Sequence, residues 1–137
     1  MLAGTGALVC GRRLFEHTHG WGGNHPVGAP VVVVTHHPPE DTGTWKTIRF
    51  ATSVPEGIAA AKEAAGDKDV SIASASIAQQ ALDLSLVDAV TVSLVPVLLG
   101  QGIPYFASLT RAPHRFDDPV LIPGRRATHL SYAVRRD

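Results

Sequence analysis

A formal net charge of zero over 137 residues excludes nucleic-acid binding driven by bulk charge. Hydrophobic residues make up 45% of the chain, which excludes a disordered protein, and the length predicts one domain over residues 1–137. The single cysteine excludes a disulfide framework and predicts a reducing, cytoplasmic location, and no apolar run reaches the roughly 18 residues that a membrane helix needs.

The first predicted elements are a strand at 7–10 and a short helix at 12–19, joined by Gly11. Arg12 and Arg13 open the helix, so two cations and the free backbone N–H groups of a helix start point the same way. This arrangement suits a phosphate-bearing ligand. Two solvated charges on a short surface helix are the alternative interpretation.

The next strand, at 30–35, follows a Gly/Pro-rich loop at 20–29. Its run of valines is typical of a strand that is buried on both faces of a parallel sheet. Thr35 and His36 are the polar residues at its end. Because the carboxyl ends of parallel strands meet at one edge of the sheet, the sequence predicts a ligand cleft there. Thr35 and His36 fit an ordinary loop equally well.

A short strand at 47–51 precedes the best-marked helix, which is predicted over 54–65. Ser53 and Glu56 have the spacing of a capping box, and a proline stands in the first turn. Gly66 provides the stop signal.

A strand at 69–74 and a helix at 76–84 come next. Ser76 and Gln79 repeat the capping-box spacing, which predicts Ser76 as the N-cap of this helix. The alternation of apolar residues over 88–95 predicts a further strand.

The last predicted elements are strands at 114–122 and 126–134, joined by turn residues 123–125 into an antiparallel hairpin. The inward face of the hairpin is predicted to carry Thr128, Leu130, Tyr132 and Val134. The alternation of strands and helices predicts an α/β fold with three layers, α/β/α. In this fold a mostly parallel twisted sheet ends in the C-terminal antiparallel hairpin.

Four blocks of the chain resemble the bacterial dihydrofolate reductase-like family, which includes the reductase domain of riboflavin-biosynthesis enzymes. The blocks are 4–15, 31–36, 76–82 and 87–106. The last block is the most specific, because an apolar strand, a proline, leucines and glycines follow one another in an unusual order. The resemblance spans essentially the whole chain and implies a dihydrofolate reductase-like fold.

The resemblance also implies an activity, namely hydride transfer from NADPH to a C=N or C=O group of a small heterocyclic substrate. Residues at three strand ends are then expected to contact the cofactor. They are Gly11, Arg12 and Arg13 for its phosphates, Thr35 and His36 for the adenosine ribose and 2′-phosphate, and Ser74, Ala75, Ser76 and Ile77 for the pyrophosphate. No residue stands out as a general acid, so the catalytic residues stay unassigned.

The chain departs from the family pattern in two places. Ser74 and Ala75 stand where the family has a glycine pair, whose small size lets the backbone approach a pyrophosphate. The chain also begins about where the family's first helix ends, so we expect a domain that is N-terminally short and lacks a central strand. A non-catalytic member that acts as a binding or structural domain is therefore the alternative to the reductase.

A missing central strand would leave unpaired strand edges and exposed apolar surface. We therefore expect a homodimer in which 88–95 and 126–134 face the twin. The other expected partner is a small-molecule substrate, with neither nucleic acid nor a membrane.

The histidines lack the spacing of a helical zinc site, so no metal ion is expected. Cys10 lies in an apolar strand and is expected to be a small buried hydrophobe. Trp21 fits either the wall of a ligand pocket or a packing role over the mouth of the cleft.

Overall fold

The computed structural model describes residues 4–41, 43 and 45–136. The strands are β1 (Thr5–Gly11), β2 (Val31–Val34), β3 (Ile48–Ala51), β4 (Asp69–Ile72), β5 (Ala89–Leu94), β6 (Val120–Pro123) and β7 (Thr128–Ala133). The helices are α1 (Arg12–His17), α2 (Val54–Ala65) and α3 (Ala75–Asp83), and a left-handed turn at His19–Gly23 follows α1. Over the described residues, no helix is long and apolar enough to cross a membrane.

β1 is an inner strand of a four-stranded parallel sheet with the order β3–β2–β1–β4. Successive side chains of a strand point to opposite faces of its sheet. Ala7 and Val9 therefore enter the core on one face, and Leu8 and Cys10 enter the core on the other. Burial raises the pKa of the Cys10 thiol to about 11, so Cys10 is the small buried hydrophobe that the sequence predicts.

Helices cover both faces of the parallel sheet. On one face α2 and α3 contribute Ile58 and Ile77 to the core. On the other face α1 and the loops contribute aromatic side chains, among them Phe15 and Trp45, whose ring centroids lie 5.2 Å apart. The predicted three-layer arrangement is confirmed, and so is the burial of β2 on both faces, since Val31–Val33 are almost fully buried.

The last three strands form a separate antiparallel sheet with the order β5–β7–β6. The predicted hairpin is confirmed, but β5 joins it here instead of extending the parallel sheet. The strand predicted at 114–122 is shorter in the structure, because only Val120–Pro123 pair with β7. Pro119 has no N–H to donate to a ladder, and Phe116 makes only an isolated bridge to Val134.

α2 begins after Ser53, the predicted N-cap, while the Glu56 side chain of the predicted capping box bonds to Thr52, one residue before the N-cap. The Ser53 hydroxyl accepts a hydrogen bond from the Glu56 N–H at 3.3 Å. The Glu56 carboxylate reaches back and accepts a hydrogen bond from the Thr52 hydroxyl at 3.0 Å. The N–H groups and the positive end of this helix are thus partly satisfied by its own residues.

The predicted start of α3 is wrong. The N-cap is Ser74, and the Ser76 hydroxyl instead accepts a hydrogen bond from the Gln80 amide at 3.2 Å. Gln79, which was predicted to complete the capping box, is buried and donates to the backbone carbonyl of Tyr105. The hydrogen bond to Tyr105 therefore occupies the Gln79 side chain that a capping box at Ser76 would need.

α2 lies so close to the parallel sheet that Gly57 has no space for a side chain. A Cβ at this position would stand 2.6 Å from Cγ2 of Val34 and 3.6 Å from Cβ of Ala51. A valine side chain is stiff about χ1, and Val34 is partly buried against the core, so Val34 cannot easily turn aside.

We expect Gly57→Ala to lower the free energy of unfolding by about 1–3 kcal/mol, because it overpacks this contact. In an exposed helix position the same exchange would stabilise by about 1 kcal/mol. Urea unfolding followed by circular dichroism measures the change. Ala59→Gly, at an exposed position of α2, calibrates the helix propensity, and a stability gain in Gly57→Ala would contradict the close packing.

Asp83 ties the end of α3 to the segment at 110–114. Its carboxylate accepts hydrogen bonds from the N–H and the hydroxyl of Thr110, at 2.7 and 2.9 Å, and from the Arg111 N–H at 3.1 Å. The His114 ring nitrogen Nε2 lies 2.8 Å from the same carboxylate. The backbone N–H of Thr110, followed by His114, holds the pKa of Asp83 well below its usual range.

We expect acid to destabilise this end of the protein. An unfolded aspartate titrates at about pH 3.9, so the stabilisation by Asp83 is complete above that pH and is lost as the pH falls towards the lower folded pKa. The free energy of unfolding in urea, measured from about pH 7 to about pH 3, should fall less steeply in Asp83→Asn than in the wild type. Asp118→Asn, which removes an exposed carboxylate, should keep the wild-type slope.

Candidate functional site

A cleft of about 1430 Å³ opens at the carboxyl edge of the parallel sheet, where β1, β2, β3 and β4 end. Parallel strands send their carboxyl ends to the same edge, and ligands of open α/β sheets bind there. The structure brings together every site residue that the sequence predicts, namely Gly11, Arg12, Arg13, Thr35, His36, Ser74, Ala75, Ser76 and Ile77.

Gly11 stands at the turn from β1 into α1, with φ −92° and ψ 172°. Any residue adopts this extended backbone conformation. A Cβ at Gly11 would meet only ordinary contacts, the nearest being the Ser74 hydroxyl oxygen at 3.5 Å. The fold itself therefore does not require glycine here, and the open backbone faces the cleft.

Ser74 joins two of the turns that line the cleft. Its hydroxyl accepts a hydrogen bond from the Gly11 N–H at 2.7 Å. The same hydroxyl makes no capping bond to α3, and the first turn of α3 carries no acidic residue. The first-turn N–H groups of Ala75, Ser76 and Ile77 are therefore available to an anion, in contrast to those of the self-capped α2.

The two arginines differ in their surroundings. Arg12 Nε donates to Glu16 one turn along α1, at 2.5 Å, and both side chains are exposed, so solvent weakens the pair. Arg13 is exposed and has no ion-pair partner within the described part of the chain. Arg13 can therefore bind a ligand without first breaking an ion pair within the described part of the chain.

Thr35 and His36 line the cleft at the end of β2, but in different ways. Thr35 is buried, and its hydroxyl accepts a hydrogen bond from the His37 N–H at 3.2 Å. That bond shapes the turn after β2 and already engages the hydroxyl that the sequence interpretation assigned to a ribose. His36 and His37 are exposed.

The sequence interpretation missed several residues that line the cleft. They include Thr52 and Ser53 after β3, Glu16, His17 and His19 of the α1 region, and Gln80 of α3. Thr52 and Ser53 carry the same signal as Thr35 and His36, since polar residues follow a predicted strand. Glu16, His17 and His19 carried no such signal, because only the fold brings these side chains to the cleft beside Arg12 and Arg13.

Trp21 does not line the cleft. It packs at the edge of the core beneath α1, with its ring centroid 4.6 Å from that of His25. Burial lowers the pKa of His25. Among the described residues, no group of histidine, cysteine or acidic side chains is placed to hold a metal ion.

Neither a protein-family model nor a curated protein matches the sequence. Solved structures do match the fold. A riboflavin biosynthesis protein from Shewanella sp. PV-4 gives a TM-score of 0.74 at 23% identity, over 96% of this chain and 75% of that one. A pyrimidine reductase-like protein from Corynebacterium diphtheriae gives 0.66 at 17% identity, over 99% and 79%. The riboflavin biosynthesis reductase of Saccharomyces cerevisiae gives 0.66 at 10% identity, over 96% and 75%.

At these identities the likeness establishes the fold, and the activity needs separate support. The chain has the dihydrofolate reductase-like fold that its sequence blocks imply. Its structural neighbours are riboflavin-biosynthesis and pyrimidine reductase-like proteins that are longer than this chain.

We expect Ser74→Ala to lower the free energy of unfolding by about 0.5–1.5 kcal/mol, because the Gly11 N–H loses its acceptor. Ser76→Ala, at an exposed position two residues away, should change it by less than about 0.5 kcal/mol. Urea unfolding of both variants makes the comparison. Equal losses of stability in the two variants would show that the hydrogen bond between Gly11 and Ser74 adds no stability of its own.

Proposed function

We propose that this protein binds NADPH in the cleft and transfers hydride to a C=N or C=O group of a small heterocycle. The observation that supports this most is the meeting, in one cleft, of two uncapped helix starts and two arginines. A small-molecule substrate and a cytoplasmic location belong to the same proposal.

The cleft residues fit a pyrophosphate. The uncapped start of α3 offers backbone N–H groups and the positive end of a helix dipole. At the end of β1, Gly11 has no side chain to cover its backbone, although the fold has space for a Cβ there. The volume of about 1430 Å³ exceeds the roughly 300–1000 Å³ of ordinary small-ligand pockets and suits an extended dinucleotide.

The preference for NADPH over NADH rests on charge. An additional phosphate needs an additional cation, and Arg13 is exposed and unpaired within the described residues. Arg12 can add a second contact after it releases Glu16. His36 and His37 line the same cleft at the end of β2 and can donate to a phosphate on the adenosine ribose.

When bound, the nicotinamide supplies the hydride, and the protein binds and orients the two reactants. This chain's residues would hold the cofactor by its phosphates at the ends of β1 and β4. The substrate would lie in the remaining space of the cleft. Glu16, the one carboxylate among the described lining residues, is paired with Arg12, so we assign no general acid.

A binding domain without chemistry is the second candidate. The ion pair with Arg12 engages the Glu16 carboxylate, which favours the binding domain over the reductase. The other acid–base side chains among the described lining residues are exposed histidines. Ser74 and Ala75 favour it too, because their side chains occupy the turn at which a pyrophosphate would lie. Binding of NADPH without its oxidation in the presence of heterocyclic carbonyl and imine compounds would support this candidate over the reductase.

We expect NADPH to raise the thermal unfolding midpoint of the protein more than NADH does at the same concentration. A ligand at 100 times its dissociation constant adds about 2.7 kcal/mol of stability. Differential scanning calorimetry with each dinucleotide makes the measurement. An unchanged midpoint with millimolar NADPH would contradict the cofactor.

Two variants test where the dinucleotide binds. Arg13→Ala should weaken NADPH binding roughly 10–100-fold, since a hydrogen bond to a charged group is worth about 1.5–3 kcal/mol. Gly11→Ala should also weaken it, while it costs at most about 1 kcal/mol of folding stability as an N-cap change. Arg49→Ala, which removes an exposed arginine on β3 outside the cleft, is the control. Equal affinities in all three would contradict the proposed site.

A further inference from the structure

A second cavity, of about 400 Å³, lies outside the cleft, and we call it the arginine pocket. Its described lining residues are Ser85, Pro113, His114, Arg115, Arg135 and Arg136. Ser85 follows the end of α3, whereas the start of α3 lines the cleft. α3 has nine residues, so about 13 Å of helix separates the two cavities. The arginine pocket is therefore a separate place on the molecule, at the other end of this helix.

Two arginines of the pocket stand directly opposite each other on neighbouring extended segments. Phe116 and Val134 form an antiparallel bridge, and the Arg135 N–H donates to the Arg115 carbonyl at 2.9 Å. Residues that oppose each other in an antiparallel pair point to the same face, with Cβ atoms about 4.5–5.5 Å apart. Like charges in such a pair repel each other. Arg115 and Arg135 therefore hold two positive charges close together at the pocket.

The carboxylates that pair with the pocket's arginines neutralise only part of this charge. Asp117 Oδ1 lies 3.3 Å from Arg135 Nε, and Asp88 Oδ1 lies 2.6 Å from the Arg136 guanidinium. These two carboxylates are 62% and 84% exposed, so solvent weakens both ion pairs. Arg115 is exposed and has no ion-pair partner among the described residues. One cation of the pocket is therefore left without a counter-charge in the described part of the chain.

The other hydrogen-bonding groups of the pocket are held in place by contacts behind them. Arg136 donates to the carbonyls of Ser85 and Val87, at 2.9 and 3.1 Å, and so covers oxygens that would repel an anion. His114 Nε2 lies 2.8 Å from the Asp83 carboxylate. A carboxylate only accepts, so Nε2 carries the hydrogen and Nδ1 remains for a ligand. The Ser85 hydroxyl makes no hydrogen bond within the described residues and can donate to a ligand as well.

We propose that the arginine pocket binds a phosphate group, either as inorganic phosphate or as the phosphomonoester of a small molecule. Two phosphate oxygens fit the fork of a guanidinium, and the negative charge relieves the repulsion between Arg115 and Arg135. A phosphate group carries nearly two charges and three acceptor oxygens at neutral pH, which matches several converging donors better than a carboxylate does. Binding of phosphate in this pocket does not depend on what the cleft binds.

Titration of the ¹⁵N-labelled protein with sodium phosphate or with methyl phosphate, at constant ionic strength, tests the pocket because NMR follows each amide separately. We expect the amide resonances of Ser85 and Arg136 to shift with a dissociation constant of about 1 mM for at least one compound. Shifts at Gly11 and Ala75 report binding in the cleft and are fitted apart. Saturable binding of methyl phosphate supports a phosphomonoester as the ligand, and binding of sodium phosphate alone supports the free ion. No saturable shift at Ser85 and Arg136 with either compound at about 20 mM overturns the proposal.

Three variants test the assignment to these residues. Arg115→Ala should raise the dissociation constant measured at Ser85 at least about tenfold, because it removes the unpaired cation. Asp117→Asn should lower the constant, because Arg135 loses a competing carboxylate. Arg125→Ala, which removes an exposed arginine in the turn between β6 and β7, is the matched control and should stay within about twofold of the wild type.

Arg115→Gln serves as a second variant if Arg115→Ala does not fold, as judged by circular dichroism. Weaker binding in either Arg115 variant, with wild-type binding in Arg125→Ala, supports the proposal. Wild-type affinity in a folded Arg115 variant overturns it, and so does an equal loss of affinity in Arg125→Ala, since phosphate would then respond only to the overall charge of the protein.

Discussion

The burial of β1 between two strands and two cores is the constraint on which the rest of this fold depends. A strand in this position has to pair with a neighbour at both edges, because an unpaired buried backbone group costs about 1–3 kcal/mol. It also needs an apolar side chain at every position, since alternate residues enter opposite cores. Residues 7–10 meet both requirements, with β2 and β4 as partners. The strand then ends at Gly11, so the element that organises both cores also positions the first turn of the cleft.

The cleft follows from the direction of the strands more than from any one side chain. Four parallel strands end at one edge, and the starts of α1, α2 and α3 come to that edge with them. The Gly11–Ser74 hydrogen bond holds two of these turns together. The helix starts are not equivalent, because α2 is capped by Ser53 and Glu56 while α1 and α3 are not. The helix starts without a side-chain cap therefore lie on the side of the cleft between α1 and α3.

The two sheets differ in how much of their surface is covered by other parts of the described chain. The parallel sheet is covered on both faces by its own helices and loops. The antiparallel sheet is held to α3 through Asp83 and Gln79, which bind the segment between β5 and β6, yet its strands β5 and β6 stay largely exposed. Both clusters of buried core residues thus lie in the parallel half of the described chain.

Local signals in the sequence determined the element order, the bounds of α2, the burial of β2 and the strand ends that meet in the cleft. Such signals suffice where the deciding contacts are close in sequence, as for Ser53 and Glu56 at the start of α2. Tertiary structure decided the features that depend on distant partners. The Gln79 side chain donates to the Tyr105 carbonyl and not to a capping box at Ser76, and α3 begins earlier than predicted. Asp83 binds the segment at 110–114 by hydrogen bonds, although the sequence predicts a strand from 114. β5 pairs with β7. The periodicity of apolar residues predicts that a segment is a strand, but it does not predict which strand will be its neighbour, because pairing depends on contacts between residues far apart in sequence.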